Sequence, residues 1–264
     1  MERAAFRAMD TDVELLLDAH PSAESLLALA AAEAEFERIE SLLSRFRDDS
    51  ELSALNRSGS LRAGPDLLRV TELALDARER TGGRFDPTVH DALVAAGYDR
   101  SFDELPAGPA ATAPAARCNG RISIDPRTGL IELEPGVRLD FGGIGKGYAV
   151  DRACKLLALA GPCLVNGGGD LAVRGRAWPV GVETPEGMLT LELERGAMAT
   201  SGRDRRRWRT PDGEAHHLID PASGRPAESD LLRVTVVATS AVEAEVLAKA
   251  FFIAGTERAA HEAD

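Results

Sequence analysis

Asp140-Phe141-Gly142-Gly143-Ile144-Gly145-Lys146-Gly147-Tyr148 is the stretch from which this chain is best read. A strand predicted over 137–141 leads into a glycine loop, and a helix then continues to about Ala160. Glycines permit positive φ and let a backbone approach a neighbour closely. Free N–H groups at a helix start favour an anion, and Lys146 adds a full positive charge. The pattern is not a Walker A loop, because Lys146 is followed by Gly147 and not by Ser or Thr. Nor does it match G-x-G-x-x-G. Taken alone, the stretch fits a tight structural turn as well as a phosphate site.

Outward from the loop, the chain alternates strand-rich stretches with a few long helices. Val13, Leu15 and Leu17 alternate with Glu14 and Leu16, which predicts a strand over 4–18 with one buried face. Phe36, Ile39, Leu43 and Phe46 recur at helical spacing, predicting a helix from about Ala23 to Arg47 with Glu37, Glu40 and Arg45 left for solvent. Ser50 can cap a short helix that ends between Asn56 and Gly59. A further helix fits 65–81 and stops at Gly82-Gly83. Ile122 and Ile124 lead through DPRTG into Leu130, Ile131 and Leu133, a hairpin pattern. Strands fit 162–166, 170–174, 178–182, 189–194, 214–219 and 231–238. Ser240 and Glu243 form a capping box for the last helix. Residues 105–116, LPAGPAATAPAA, read as a surface connection. The fold class is therefore α/β (α+β), mixed sheets with flanking helices.

Composition narrows the partners. The 264 residues carry 31 Lys plus Arg against 43 Asp plus Glu, a formal net charge of -12. That argues against nucleic acid, which needs a basic footprint. The basic run Arg203 to Arg209 is short. Cys118, Cys154 and Cys163 show no metal-ligand spacing and read as reduced thiols. The N-terminal residues lack a signal-peptide pattern, and no apolar stretch is long enough to span a bilayer, so the expected location is the cytoplasm.

Three other segments could carry chemistry. Asn166-Gly167-Gly168-Gly169-Asp170 lies between two strands and is either a bulged turn or a backbone platform for a ring or pyrophosphate. Thr200-Ser201-Gly202 precedes His216-His217-Leu218-Ile219-Asp220-Pro221. Adjacent histidines on a strand face opposite ways, so a metal pair is disfavoured, and one of them fits a ligand contact or an acid–base role. Gly83-Arg84-Phe85-Asp86-Pro87-Thr88 reads as a turn before a helix.

In this order, eight segments resemble the ApbE family of flavin transferases, FAD:protein FMN transferase. They are RAMDTDVEL (7–15), FRDDSELSALN (46–56), GGRFDPTV (82–89), LDFGGIGKGYAVDRA (139–153), LVNGGGDLAVRG (164–175), MATSGRDRRRW (198–208), HHLIDPASGRP (216–226) and VTVVATSAVEAEVLAKAFFIAG (234–255). The resemblance implies a T-fold-like architecture, a single FAD-binding domain over 1–264, and an Mg²⁺-assisted reaction. FAD would be cut at its pyrophosphate, FMN would pass to a Ser or Thr of a target flavoprotein, and AMP would leave. It implies cofactor contacts from Met9, Ser50, Asn56, Asp86, Thr88, Gly143, Lys146, Asp151, Gly168, Asp170, Ser201 and His217. Among these, His217, Lys146 and Asp151 would serve catalysis, with Asp151 reaching the adenosine half.

The sequence departs from the family at three positions. The implied metal ligands are the Gly145 carbonyl and an Asp and a Thr spaced i, i+4 on the last helix. Here Glu245 and Lys249 hold those two places. Glu245 can ligate, but an ammonium has no lone pair. Lys249 thus either occupies the metal's place or forms a solvated surface pair with Glu245. Asp10 replaces the Gly of Met-Gly-Thr. The alternative to a transferase is a non-catalytic FAD-binding homologue, a carrier or sensor with a degenerate metal site. A third reading, a protein that keeps the fold but acts through interactions, runs against the retained motifs.

Overall fold

Alternation at Val13, Leu15 and Leu17 turns all three inward, and each is buried. The computed structural model describes residues 1–105, 108–211 and 213–262. In it the expected strand over 4–18 is a hairpin: Glu2–Ala8 pairs antiparallel with Thr11–Leu17, and Met9-Asp10 is the turn. Met9 and Asp10 take left-handed φ of 53° and 56°. Two positive φ values in a two-residue turn match the right-handed twist of the flanking strands.

The helices are α1 (Ala23–Leu43), α2 (Glu51–Ser58), α3 (Pro65–Arg80), α4 (His90–Ala95), α5 (Gly145–Leu157), α6 (Ala241–Ala254) and α7 (Thr256–Glu262). The chain folds as two compact units, each built from three separate segments. The first comprises Met1–Glu40, Gly145–Thr200 and Thr235–Ala248, and the second Ser41–Ile144, Ser201–Val234 and Lys249–Asp264.

The first unit is organised by a six-stranded sheet in the order Glu2–Ala8, Thr11–Leu17, Cys163–Gly167, Asp170–Arg174, Gly196–Gly202, Arg233–Ala238. The final residues of Gly196–Gly202 and the first of Arg233–Ala238 run into the second unit. On one face Leu164, Leu171, Val173 and Met198 pack with Trp178 and Val180 of the hairpin Trp178–Thr184/Gly187–Leu193. Phe6 meets Phe36 of α1 edge to face, with ring centroids 5.6 Å apart. Cys154 and Cys163 are buried here, Cys118 is buried in the second unit, and all three are free thiols.

The second unit holds α2, α3 and α4 and a three-stranded sheet, Ser60–Arg62, Leu130–Leu133, Ile122–Asp125. Its apolar centre gathers Leu93, Tyr98, Cys118, Trp208 and Ile219. The expected cap of α2 is present: Ser50 Oγ accepts from Ser53 N at 3.0 Å, and Gly59 closes the helix at φ 72°.

Several expectations change. α1 stops at Leu43, so its helical register does not reach Arg47. Phe46, expected in the core, is 38% exposed. Arg45, expected in solvent, is buried in an ion pair with Asp140. Residues 137–141 are not a strand, because side chains supply part of their backbone partners. Asn56 Nδ2 donates to Leu139 O at 2.9 Å, and Leu139 N donates to Asn56 Oδ1 at 2.7 Å. α5 ends at Leu157, three residues early. The strand expected over 214–219 breaks after His216. Ser60–Arg62, Gly196–Gly202, Arg207–Thr210 and Arg225–Pro226 are strands that local pattern did not predict. Within the expected connection at 105–116, residues 106 and 107 lie outside the described residues. Ala110 is buried and its N–H donates to Arg209 O at 2.8 Å. Among the described residues no helix is long and apolar enough to cross a membrane.

Asp10→Gly removes a side chain from a left-handed position and should raise stability by about 0.5–1 kcal/mol, read from the denaturant midpoint. Asn56→Ala leaves two backbone groups of Leu139 without their partners and should cost about 1–3 kcal/mol in the same measurement.

Candidate functional site

In the first unit, α5 opens at Gly145 and carries Lys146 in its first turn. The Lys146 ammonium pairs with Asp170 and with Glu245, the latter at 2.5 Å. Both carboxylate residues are 3% exposed. Charges this far from water persist only when paired and hydrogen-bonded. Glu245 Oε2 also accepts from Gly147 N at 2.8 Å, an anion placed on a helix N-terminus. Gly147 must be glycine, since a Cβ would strike the backbone of Ala241 and Val242.

Asp151 lies one turn further along α5. Its two carboxylate oxygens accept from Ala241 N at 2.8 Å and Val242 N at 3.1 Å, tying down the start of α6. Burial pushes its carboxyl up, against the pull of those two amides. Where the resemblance implies contact with the adenosine half, this carboxylate holds a helix N-terminus. Ser240 caps α6 as read, its Oγ accepting from Glu243 N at 3.2 Å, but the return half of the box shifts by one residue: Glu243 Oε2 accepts from Thr239 Oγ1 at 2.7 Å and Thr239 N at 3.4 Å. Gly168 sits at φ 67°, and a Cβ there would overlap Thr11 Oγ1. Met9 N donates to Glu40 Oε2 at 2.9 Å.

In the second unit, Asp140 organises the entry to the glycine loop. Oδ1 accepts from Gly142 N at 2.7 Å, and Oδ2 pairs with Arg45 Nε at 2.7 Å, with side chains 8% and 6% exposed. The Arg45 guanidinium also lies 4.8 Å from the Tyr98 ring centre. At Gly143 a Cβ would overlap the Lys249 ammonium. Asp86 is buried and accepts from Thr88 N at 3.0 Å, Thr88 Oγ1 at 2.8 Å and Asn119 N. Thr88 Oγ1 in turn accepts from Gly120 N at 3.1 Å. Ser50 also donates to Ser44 O at 2.7 Å. Ser201 is buried near the end of its strand.

The two histidines part company. His216 Nε2 donates to Ala227 O at 3.2 Å and its Nδ1 accepts from Leu218 N, so both ring nitrogens hold the local chain. His217 Nδ1 lies 3.3 Å from Arg206 O, which fixes that nitrogen as the donor and leaves Nε2 as a base. Burial, and then the charges of Lys249 and Arg206, push the His217 imidazole well below its ordinary range. It is neutral at pH 7.

The expected metal positions do not suit a divalent cation. Both Glu245 oxygens are engaged, one by Lys146 and one by Gly147 N. Lys249 has no lone pair to offer. Among the described residues no group of three or more His, Cys, Asp or Glu side chains could hold a metal ion. Sequence reasoning also missed Arg45 and Asn119. The left-handed φ of Asn119, 59°, lets its N–H reach Asp86. The Asn-Gly pair at 119–120 was the available signal.

Residues 9–264 match the sequence profile described as the ApbE family. The chain is 31% identical to "FAD:protein FMN transferase" of Treponema pallidum, over 90% of this chain and 74% of that one. The crystal structure of the ApbE protein of Thermotoga maritima superimposes with a TM-score of 0.85 at 25% identity, covering 96% of this chain and 86% of that one. The apo flavinyl transferase ApbE of Pseudomonas stutzeri gives 0.83 at 24% identity, over 98% and 86%. Its mixed helices and antiparallel sheets are those of these structures, and this chain belongs to the ApbE family.

Proposed function

We propose that this chain, acting as a single flavin transferase domain, moves FMN from FAD to a Ser or Thr hydroxyl of a target flavoprotein. The acceptor Oγ forms a bond to the FMN phosphorus, the bond from that phosphorus to the AMP oxygen breaks, and AMP leaves with the electron pair. The hydroxyl proton needs a base, and His217 is proposed for that role. The observation that carries the reading is the neutral imidazole with Nδ1 fixed on Arg206 O and Nε2 able to accept. Lys146 at the start of α5 is proposed as an anion contact, and the exposed Gly168, whose N–H is taken by Asp12 O, as a backbone platform for a flat ring. Met9, Ser50, Asn56, Asp86, Thr88, Gly143, Asp170 and Ser201 are proposed to shape or line the cofactor site. Several of them do so by holding loops, as Asn56 and Asp86 illustrate. Free thiols fit a reducing compartment, so the cytoplasm is the proposed location.

One observation favours the second reading, a non-catalytic FAD-binding carrier or sensor. It is the poor fit of Glu245 and Lys249 to Mg²⁺. Incubation with FAD and a Ser/Thr acceptor peptide separates the two. AMP release with flavin on the peptide supports the transferase, whereas tight FAD binding without AMP supports the carrier.

His217→Asn should slow transfer by roughly 10²–10⁴-fold while FAD binding persists, the size expected for a lost general base. The pH behaviour has a definite sign. Unfolded His217 takes up a proton near its ordinary pKa of 6.5, and the folded one resists it. Stability therefore falls as pH drops below that value, and His217→Asn should flatten this part of the pH–stability curve. The acid limb of the transfer rate should correspondingly lie below pH 6.5.

A further inference from the structure

We infer that Lys249 stands in for a divalent cation, so that this chain handles the FAD pyrophosphate with a built-in ammonium and binds no Mg²⁺ at that place. The inference rests on the FAD reading above and deepens it. Lys249 lies across the backbone of Gly143 so closely that a Cβ there would meet its ammonium, its Cε at 2.8 Å and its Cδ at 3.3 Å. The end of the lysine side chain thus lies over the Gly143 backbone, and the residue is half-buried there. Its charge also bears on His217, the proposed base.

The remaining donors agree. One ammonium, Lys146, already serves two buried carboxylates, and Glu245 uses its second oxygen on the α5 N-terminus. Magnesium needs near-octahedral oxygen coordination, so it would have to displace Lys146 or the Gly147 amide. One helical turn after Glu245 on α6, the position where the resemblance implies a further ligand carries a cation instead. A fixed positive charge aimed at developing phosphate charge needs no reorganisation and no dissolved ion.

The test uses the full chain in two independent measurements. Calorimetric titration with Mn²⁺, without flavin, should show no binding by the wild type. Transfer from FAD to an acceptor peptide should be unaffected by EDTA in the wild type. Lys249→Met, which keeps the stem without the charge, should lose roughly 100-fold with EDTA or with Mg²⁺. A wild type that binds Mn²⁺ stoichiometrically, or that stops in EDTA and resumes with Mg²⁺, overturns the inference. So does a Lys249→Met chain with an intact melting transition that transfers flavin at the wild-type rate. If no chain, wild type included, transfers flavin, the transferase reading falls by itself, and stoichiometric Mn²⁺ binding by the wild type would still overturn the inference.

Discussion

The Lys146 ammonium, held by two buried carboxylates, is the interaction on which the first unit depends. Its partners arrive from different elements: Lys146 from the first turn of α5, Asp170 from the strand after the glycine turn, Glu245 from α6. None of the three charges could be buried alone without a cost of several kcal/mol. The helices and the strand must therefore meet at this point or not pack at all. The close approach at Gly147 and the grip of Asp151 on the α6 N-terminus follow from the same requirement.

The second unit solves a different problem. Its segment 137–143 lies outside any ladder or helix, so its amides and carbonyls need partners from elsewhere. Asn56 pairs with Leu139 in both directions, Pro87 O accepts from Asp140 N, and Asp140 returns a carboxylate oxygen to Gly142 N. Asp86, Thr88 and Asn119 do the same for the neighbouring loop. Short polar side chains with two-sided hydrogen bonding suit this work, and they are the residue types the resemblance assigns to cofactor contact. A loop must be stiff before it can present its backbone to a ligand, so the two duties are compatible.

Membership of a family settles architecture more firmly than chemistry. The eight motifs were legible because each is a local pattern of glycines, caps and polar residues. The substitutions at positions 10 and 249 were equally visible in sequence, but not their consequences. Asp10 is tolerated because it sits in a two-residue turn where Asp is among the better non-glycine residues at positive φ. Lys249 acquires meaning only from the glycine backbone it covers.

The sequence by itself determined the periodic elements: the buried face of 11–17, the Ser50 and Ser240 caps, the 122–133 hairpin and the start of α5. These depend on neighbours a few residues away, which a linear reading can see. Tertiary structure decided the rest. Arg45 turned inward because Asp140, remote in sequence, offers a buried charge, and 137–141 gave up strand geometry because Asn56 supplies its hydrogen bonds. The split between His216 and His217 was decided in the same way, by carbonyls of other segments that fix which ring nitrogen keeps its proton. Partners distant along the chain leave no periodic trace, so only the folded protein could assign them.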